Sequence, residues 1–317
     1  MFLIYNPLAG QVGRNQERFL GRVTKALAQT GIEPRLRATH GPETAADIAR
    51  ECIADGADLI LVAGGDGTIN ETANGMIFSD VPLGVIPAGT ANVLAMELGL
   101  GRRPERAARA LDDCVPVRVS VGVVLDSRDR RPRHFLLMAG AGLDAHIVYN
   151  IDAAMKSALG KVAYWISAFG QLGRRLPPFE VDVDGARYEC SFALASRVRN
   201  YGGDLEIARG VSLLEHHFEL ILFEGDSAFP YLRYFLGVLT HRLDRMHGVT
   251  ILQTKTARFT APSDQRIYLQ VDGESAGALP CTVAIVPRAL TLLVPPKYRA
   301  HEQSIVREQV WTPSPSA

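Results

Sequence analysis

Three short apolar runs in the first ninety residues, FLIY, LILVA and LGVIP, each stop at a loop of asparagine, proline or glycine. Segments of helical character stand between them. LILVA is apolar at every position, as in a parallel strand covered on both faces. Residues 16–30 carry Phe19, Leu20, Val23 and Leu27 at helical spacing. A short strand around Leu36 leads to a helix over residues 43–54, and another helix starts near Ile69. ANVLAMELGL continues the pattern after the third run. Such alternation predicts an α/β domain with a mostly parallel sheet.

The pattern changes after Val117. VRVSVGVVL, RHFLLMAGAG, FEVDVDGARYECSFAL, HHFELILF, VTILQTKTARFTA, RIYLQVDGE and PCTVAIV read as strands, many joined by Gly, Asp or Pro turns. They predict a C-terminal antiparallel β-sandwich domain. The expected division is residues 1–117, residues 118–297, and a tail over 298–317 with a short charged, helix-like piece before TPSPSA. Helical stretches interrupt the second part at residues 153–172 and 230–246. Residues 156–175 mix aromatic and basic side chains, which would suit a lipid contact, but the commoner explanation is an apolar helix face packed on the sheet.

Composition narrows the function. The 317 residues carry 34 basic and 34 acidic side chains, which argues against a nucleic-acid binder relying on bulk positive charge. Four dispersed cysteines form no CxxC and read as free thiols in a reducing compartment. The N-terminus lacks a basic n-region and an adequate apolar core, so it does not read as a signal peptide. No apolar stretch is long enough to span a bilayer. A cytoplasmic protein is expected, meeting any lipid at the membrane surface. The oligomeric state stays open, a homodimer included.

Three strand ends carry polar or glycine-rich loops: Asn6-Pro7-Leu8-Ala9-Gly10, the stretch from Gly64 to Thr68, and Ala88-Gly89-Thr90-Ala91-Asn92. Ligands of open α/β sheets bind at the carboxyl ends of strands. Glycines admit phosphates to the backbone, and helix N-termini offer free N–H groups to anions. The middle loop is neither Walker A nor GxGxxG. Its Asp66 would repel phosphates unless a cation or a moving proton accompanies it. Asp66 is therefore expected to act through Mg²⁺, through water, or as an acceptor for a hydroxyl. A structural alternative is that Thr68-Ile69-Asn70-Glu71 forms a capping box, that Gly64 relieves strand–helix crowding, and that Thr90 is an N-cap. In the second domain Asp272-Gly273, like Asp184-Gly185, reads from pattern alone as a hairpin turn. The eight histidines show no metal-ligand spacing. His216 and His217 would point to opposite faces of a strand.

GGDGTINE followed by IPAGTANVLAMELG closely resembles the bacterial diacylglycerol-kinase-like lipid kinases, relatives of sphingosine and ceramide kinases. NPLAG, GAGLDAHIV, KVAYW, YGGDLEIARGVSL and QVDGE extend the likeness over most of the chain. The resemblance implies a nucleotide-binding α/β domain, a β-sandwich, and an active site in the cleft between them. It implies ATP phosphates against Gly64, Gly65, Asp66, Gly67, Thr68, Ile69 and Asn70, with Thr39, Gly89, Thr90 and, more weakly, Asn6 completing the nucleotide site. The family's acid/base role maps onto Glu274, with Asp272 beside it, so the VDGE turn is also expected to be catalytic. The family usually holds a further Mg²⁺ on an Asp-Gly pair. Here Glu215 and His216 stand at those positions, with flanking contacts at Ser212 and His217, and the departure puts that metal site in doubt.

The expected activity is transfer of the γ-phosphoryl group of Mg²⁺-ATP to a lipid hydroxyl, with diacylglycerol giving phosphatidic acid as the first choice. Glu274, or the Asp272–Glu274 pair, would take the hydroxyl proton, and loop amides would meet developing charge. Two alternatives are a kinase of another acceptor (a sphingoid or ceramide-type lipid, or NAD) and a non-catalytic nucleotide- and lipid-binding regulator. The PAGTAN loop favours lipid; the altered Glu215-His216 stretch keeps the regulator open.

Overall fold

The computed structural model describes residues 1–126, 132–142, 176–201, 205–225 and 228–300. The first unit contains β1 (Phe2–Tyr5), α1 (Gln16–Ala28), β2 (Arg35–Ala38), α2 (Ala45–Ala54), β3 (Ile60–Gly64), α3 (Asp66–Met76), β4 (Leu83–Pro87), α4 (Val93–Glu97) and α5 (Pro104–Ala110). Its strands pair in parallel in the order β2-β1-β3-β4. Side chains alternate across a strand. Leu3, Tyr5, Leu61 and Ile86 therefore share a core with Phe19, Val23 and Leu27 of α1. On the other face Phe2, Ile4, Ile60, Val62 and Val85 cluster with Ile48, Cys52, Ile69, Ala73 and Met76 of α2 and α3. Each fully buried Leu, Ile, Val, Phe or Met among these stabilises the fold by about 1.5–3 kcal/mol relative to exposure.

The second unit is antiparallel. Its strands are β5 (Val115–Asp126), β6 (Arg133–Phe135), β7 (Met138–Gly142), β8 (Phe179–Val183), β9 (Ala186–Cys190), β10 (Phe192–Ser196), β11 (Asn200–Tyr201), β12 (Leu205–Glu206) and β13 (Phe218–Phe223). A helix, α6 (Ala228–Leu239), precedes β14 (Val249–Thr254), β15 (Thr256–Thr260), β16 (Tyr268–Val271), β17 (Glu274–Ala278) and β18 (Cys281–Val294). Six strands form one sheet in the order β14-β13-β10-β7-β16-β17. Ala193, Phe218, Leu220, Leu222 and Leu269 of that sheet share a buried core with Val181, Phe259 and Val283 of the opposing sheet. This is the sandwich.

The opposing sheet is continuous with the first unit. β18 pairs along its length with β5, pairs with β15 at its start, and lies beside β4 at its end, where Leu292 faces Leu83. The sequence pattern gives this strand as PCTVAIV, ending at Val286. In the structure Pro287 and Arg288 form an irregularity in the β5–β18 register, with Arg288 at φ 51°, and the strand continues through it. RHFLLMAGAG was expected as one strand and is two, because the backbone between Phe135 and Met138 turns its amides to the Asp272 side chain. VTILQTKTARFTA splits at Lys255 because β14 belongs to one sheet and β15 to the other. His216 and His217 precede β13 and are not on a strand. The expected helix over 153–172, KVAYW and the tail from 301 lie outside the described residues.

Candidate active site

The carboxyl ends of β1, β2, β3 and β4 lie side by side, since Tyr5 faces both Ala38 and Ala63, and Gly64 faces Pro87. This places Asn6, Thr39, the loop starting at Gly64 and the loop at Gly89 at one edge. Asn6 Nδ2 donates to Thr68 Oγ1 (3.1 Å), and the Asn6 Oδ1 accepts from the Leu8 amide (2.8 Å). Thr39 is buried, with its amide donating to the Tyr5 carbonyl (2.9 Å). Gly65 and Gly89 meet backbone to backbone: a Cβ built on Gly89 would stand 2.5 Å from the Gly65 Cα. Glycine at 89 is what lets the two loops approach so closely, whereas a Cβ at Gly65 would meet only ordinary contact, 3.5 Å from the Gly89 Cα. Gly64 is crowded differently, against the Thr68 side chain. Thr90 is exposed at the loop's rim.

The helix begins earlier than expected. α3 starts at Asp66 with Gly65 as N-cap, so Thr68 lies inside it and no capping box forms. Glu71 instead accepts, through Oε2, from the Ala45 amide at the start of α2 (3.3 Å). α2 lacks a side-chain cap bond of its own at Thr44, and Glu71 supplies one from outside. The N-cap of α4 is Asn92, not Thr90.

Asn92 was not singled out as a site residue, yet it shapes the second loop. It stands in the left-handed region at φ 52°. Its Oδ1 accepts from the Gly89 amide (2.8 Å) and its Nδ2 donates to the Gly89 carbonyl (2.9 Å). Asparagine tolerates this backbone and bonds locally, which is the signal available in AGTAN.

Asp66 faces the start of α4. Its carboxylate accepts from the Leu94 amide (3.4 Å), with the amides of Val93 and Asn92 also directed at it. Burial raises its pKa, and those amides oppose the rise. Asp272 is 7% exposed. Its Oδ2 accepts from the Leu136 amide (2.9 Å), and its Oδ1 accepts from the amides of Leu137 (3.0 Å) and Met138 (2.8 Å). These amides serve Asp272 and not a neighbouring strand, which separates β6 from β7. Burial pushes the Asp272 carboxyl up to about 7; the three amides pull the other way and the nearby Asp66 charge adds to the rise. The two carboxylates line one small depression with Ile69, Leu94, Leu136 and Leu137.

Asp272 and Gly273 lie at φ 47° and 82°, much as Asp184 and Gly185 lie at 51° and 85°. Both pairs are hairpin turns, as the pattern indicated. The VDGE turn differs in its last residue. Glu274 projects over α3, and a Cβ on Gly67 would collide with its Oε1. The hairpin and the glycine loop, about two hundred positions apart in sequence, are thus in contact.

A closed circuit holds that contact. Asn70 Oδ1 accepts from Asn74 Nδ2 (2.9 Å), and Asn74 pairs with the main chain of His134 in β6, at 3.1 and 3.2 Å. β6 leads directly into the amides that clasp Asp272. The hairpin then returns Glu274 to Gly67.

Ser212, Glu215 and His217 lie away from this circuit, in the loop before β13. Glu215 Oε2 pairs with His217 Nδ1 (3.0 Å), and His217 Nε2 meets the Gly210 carbonyl (3.1 Å). Ser212 is buried, its Oγ accepting from the Leu214 amide (3.1 Å). Among the described residues no group of three or more His, Cys, Asp or Glu side chains could hold a metal ion.

Residues 1–124 match the diacylglycerol kinase catalytic domain, and residues 138–294 match the YegS C-terminal NAD kinase beta sandwich-like domain. A protein of Bacillus subtilis (strain 168) named diacylglycerol kinase is 29% identical, covering 92% of this chain and 95% of its own length. One of Mycobacterium tuberculosis with the same name is 28% identical, at 92% and 93% coverage. The fold is similar to that of a Bacillus anthracis str. Sterne crystal structure, with TM-score 0.79, 24% identity, and 94% of this chain and 95% of that chain covered.

Proposed function

Since this chain belongs to the diacylglycerol kinase catalytic domain family, with the family's β-sandwich-like domain behind it, we propose that it transfers the γ-phosphoryl group of ATP to a lipid hydroxyl. The observation that carries this reading is Glu274 lying over Gly67 of the glycine loop. A base must stand within reach of the proton it takes. Glu274 is exposed, so an incoming hydroxyl meets it from solvent or from a membrane surface.

In the proposed reaction the acceptor O–H gives its proton to Glu274, the acceptor oxygen bonds to the γ-phosphorus, and the bond from that phosphorus to the β,γ-bridging oxygen breaks. ADP leaves. The glycine loop at the start of α3 would receive the phosphates, and backbone amides at that helix N-terminus would meet their charge. Mg²⁺ bound with ATP would supply positive charge to the transferring group, with Asp66 as its holder. Asp272 does not exchange protons in this scheme. It fixes the hairpin that presents Glu274.

Diacylglycerol is the proposed acceptor, with phosphatidic acid as product. The relatives' names support this. No helix among the described residues is long and apolar enough to cross a membrane, so the acceptor would be met at the bilayer surface. The NAD kinase-like description of the second domain favours a second reading, phosphorylation of NAD. Labelled ATP offered diacylglycerol in mixed micelles, monoacylglycerol, ceramide, sphingosine and NAD separates the two. Label in phosphatidic acid is expected; label in NADP alone would replace this reading with the second.

A further inference from the structure

The loop before β13 is organised around a side chain that the sequence does not single out. Arg197, at the end of β10, is 0% exposed. Its Nη1 donates to the His217 carbonyl, and its Nη2 donates to the carbonyls of Leu213 (3.0 Å) and Ser120 (3.3 Å). Three further oxygens of the loop are also engaged. The Gly210 carbonyl meets His217 Nε2 (3.1 Å) and accepts from Gln253 Nε2 (2.8 Å). The Ser212 carbonyl accepts from the Glu215 amide (3.2 Å), and Glu215 Oε2 holds His217.

A magnesium ion needs about six oxygens in octahedral array at close range. Here the carbonyls of Ser120, Gly210, Ser212, Leu213 and His217 already face N–H donors. A divalent ion would also stand beside a fully buried guanidinium, and the repulsion is strong in such surroundings. Arginine suits the position because its planar fork donates to several carbonyls at once and keeps its charge when buried. Burial lowers the Arg197 pKa to about 10, against the opposing influence of Tyr298 and Glu215, so it stays charged at neutral pH.

We infer that Arg197 is the cation of this loop: its guanidinium gathers the carbonyls that a metal would otherwise gather, and no divalent ion binds at Ser212, Glu215 and His217. The loop so fixed reaches the first domain. The Leu213 amide donates to Tyr298 Oη (3.2 Å), and that hydroxyl donates to Glu97 Oε1 (3.1 Å) at the end of α4. α4 is the helix whose first amides face Asp66.

The test uses the full chain, stripped with chelator and free of nucleotide. Mn²⁺ is titrated into wild type and Glu215→Ala with detection by electron paramagnetic resonance, and melting is followed with and without Mg²⁺. The two proteins are expected to bind the same number of Mn²⁺ ions, and Mg²⁺ is expected to shift the wild-type Tm by less than about 1 °C. A Mn²⁺ ion bound by wild type and lost in Glu215→Ala would overturn the inference. So would a Mg²⁺-dependent rise in Tm that Glu215→Ala abolishes. Arg197→Lys is expected to lower Tm by about 5–10 °C, with or without Mg²⁺. A wild-type Tm in Arg197→Lys would also overturn it. Should that variant fail to fold, the Mn²⁺ comparison decides alone.

Discussion

The carboxylate of Glu274 occupies the space that a β-carbon on Gly67 would fill. One residue follows the turn of a β-sandwich hairpin and opens its second strand, and the other lies in the first turn of a helix of the α/β domain. Their contact joins the two domains at the glycine loop. It also gives the loop's glycine a reason beyond phosphate approach.

Gly67→Ala is therefore expected to separate stability from activity. Residue 67 lies in the first turn of α3, where alanine is the better helix former by about 1 kcal/mol. Melting temperature should hold or rise. Phosphate transfer should fall about 100-fold, because the new methyl displaces the Glu274 carboxylate and small misplacements cost that much. Loss of both together would mean the glycine serves folding alone.

Asp272→Asn should weaken the fold by about 1–3 kcal/mol, since the asparagine Nδ2 cannot accept an amide that Asp272 now satisfies. The loss should depend on pH. The Asp272 carboxyl titrates at about 7 in the folded chain, against an ordinary 3.8, so the folded state holds the proton more tightly. The stability this contributes is present below 3.8 and is lost as pH rises through about 7. Urea unfolding of both proteins from pH 5 to pH 8 should show the gap between them narrowing with rising pH. A gap that widens would contradict the assignment.

Asn92 can be tested with two variants. Asn92→Gly keeps the left-handed backbone and removes both bonds to Gly89, while Asn92→Ala removes the bonds and strains the backbone by about 1–2 kcal/mol. Both should weaken ATP binding measured by calorimetry, the alanine more. Unchanged affinity in Asn92→Gly would show that the amide bridge does not shape the nucleotide loop.

The α/β domain and the antiparallel sandwich were legible because their periodicities differ and glycine or proline marks most strand ends. The loops at the carboxyl ends of β1, β3 and β4 were legible for the same reason. What local pattern could not carry was pairing across the chain. Thr68 to Glu71 has the spacing of a capping box, but the helix starts at Asp66 and Glu71 serves α2. PCTVAIV reads as a strand ending at Val286, yet β18 runs on past Pro287 and Arg288 to β4. The Asp272–Gly273 turn was readable as a turn; that its carboxylate divides β6 from β7 was not. Arg197 gave no signal, because a lone arginine is most often a surface residue.

The central claim is that Glu274 takes the proton from the acceptor hydroxyl. Its most direct test measures transfer of labelled phosphate from Mg²⁺-ATP to diacylglycerol by wild type and by Glu274→Gln, with ATP binding followed in the same preparations. Glutamine is close to glutamate in size and cannot take the proton. A fall of about 10²–10⁴-fold in kcat with ATP affinity unchanged is the expected result. Transfer by Glu274→Gln at the wild-type rate would contradict it.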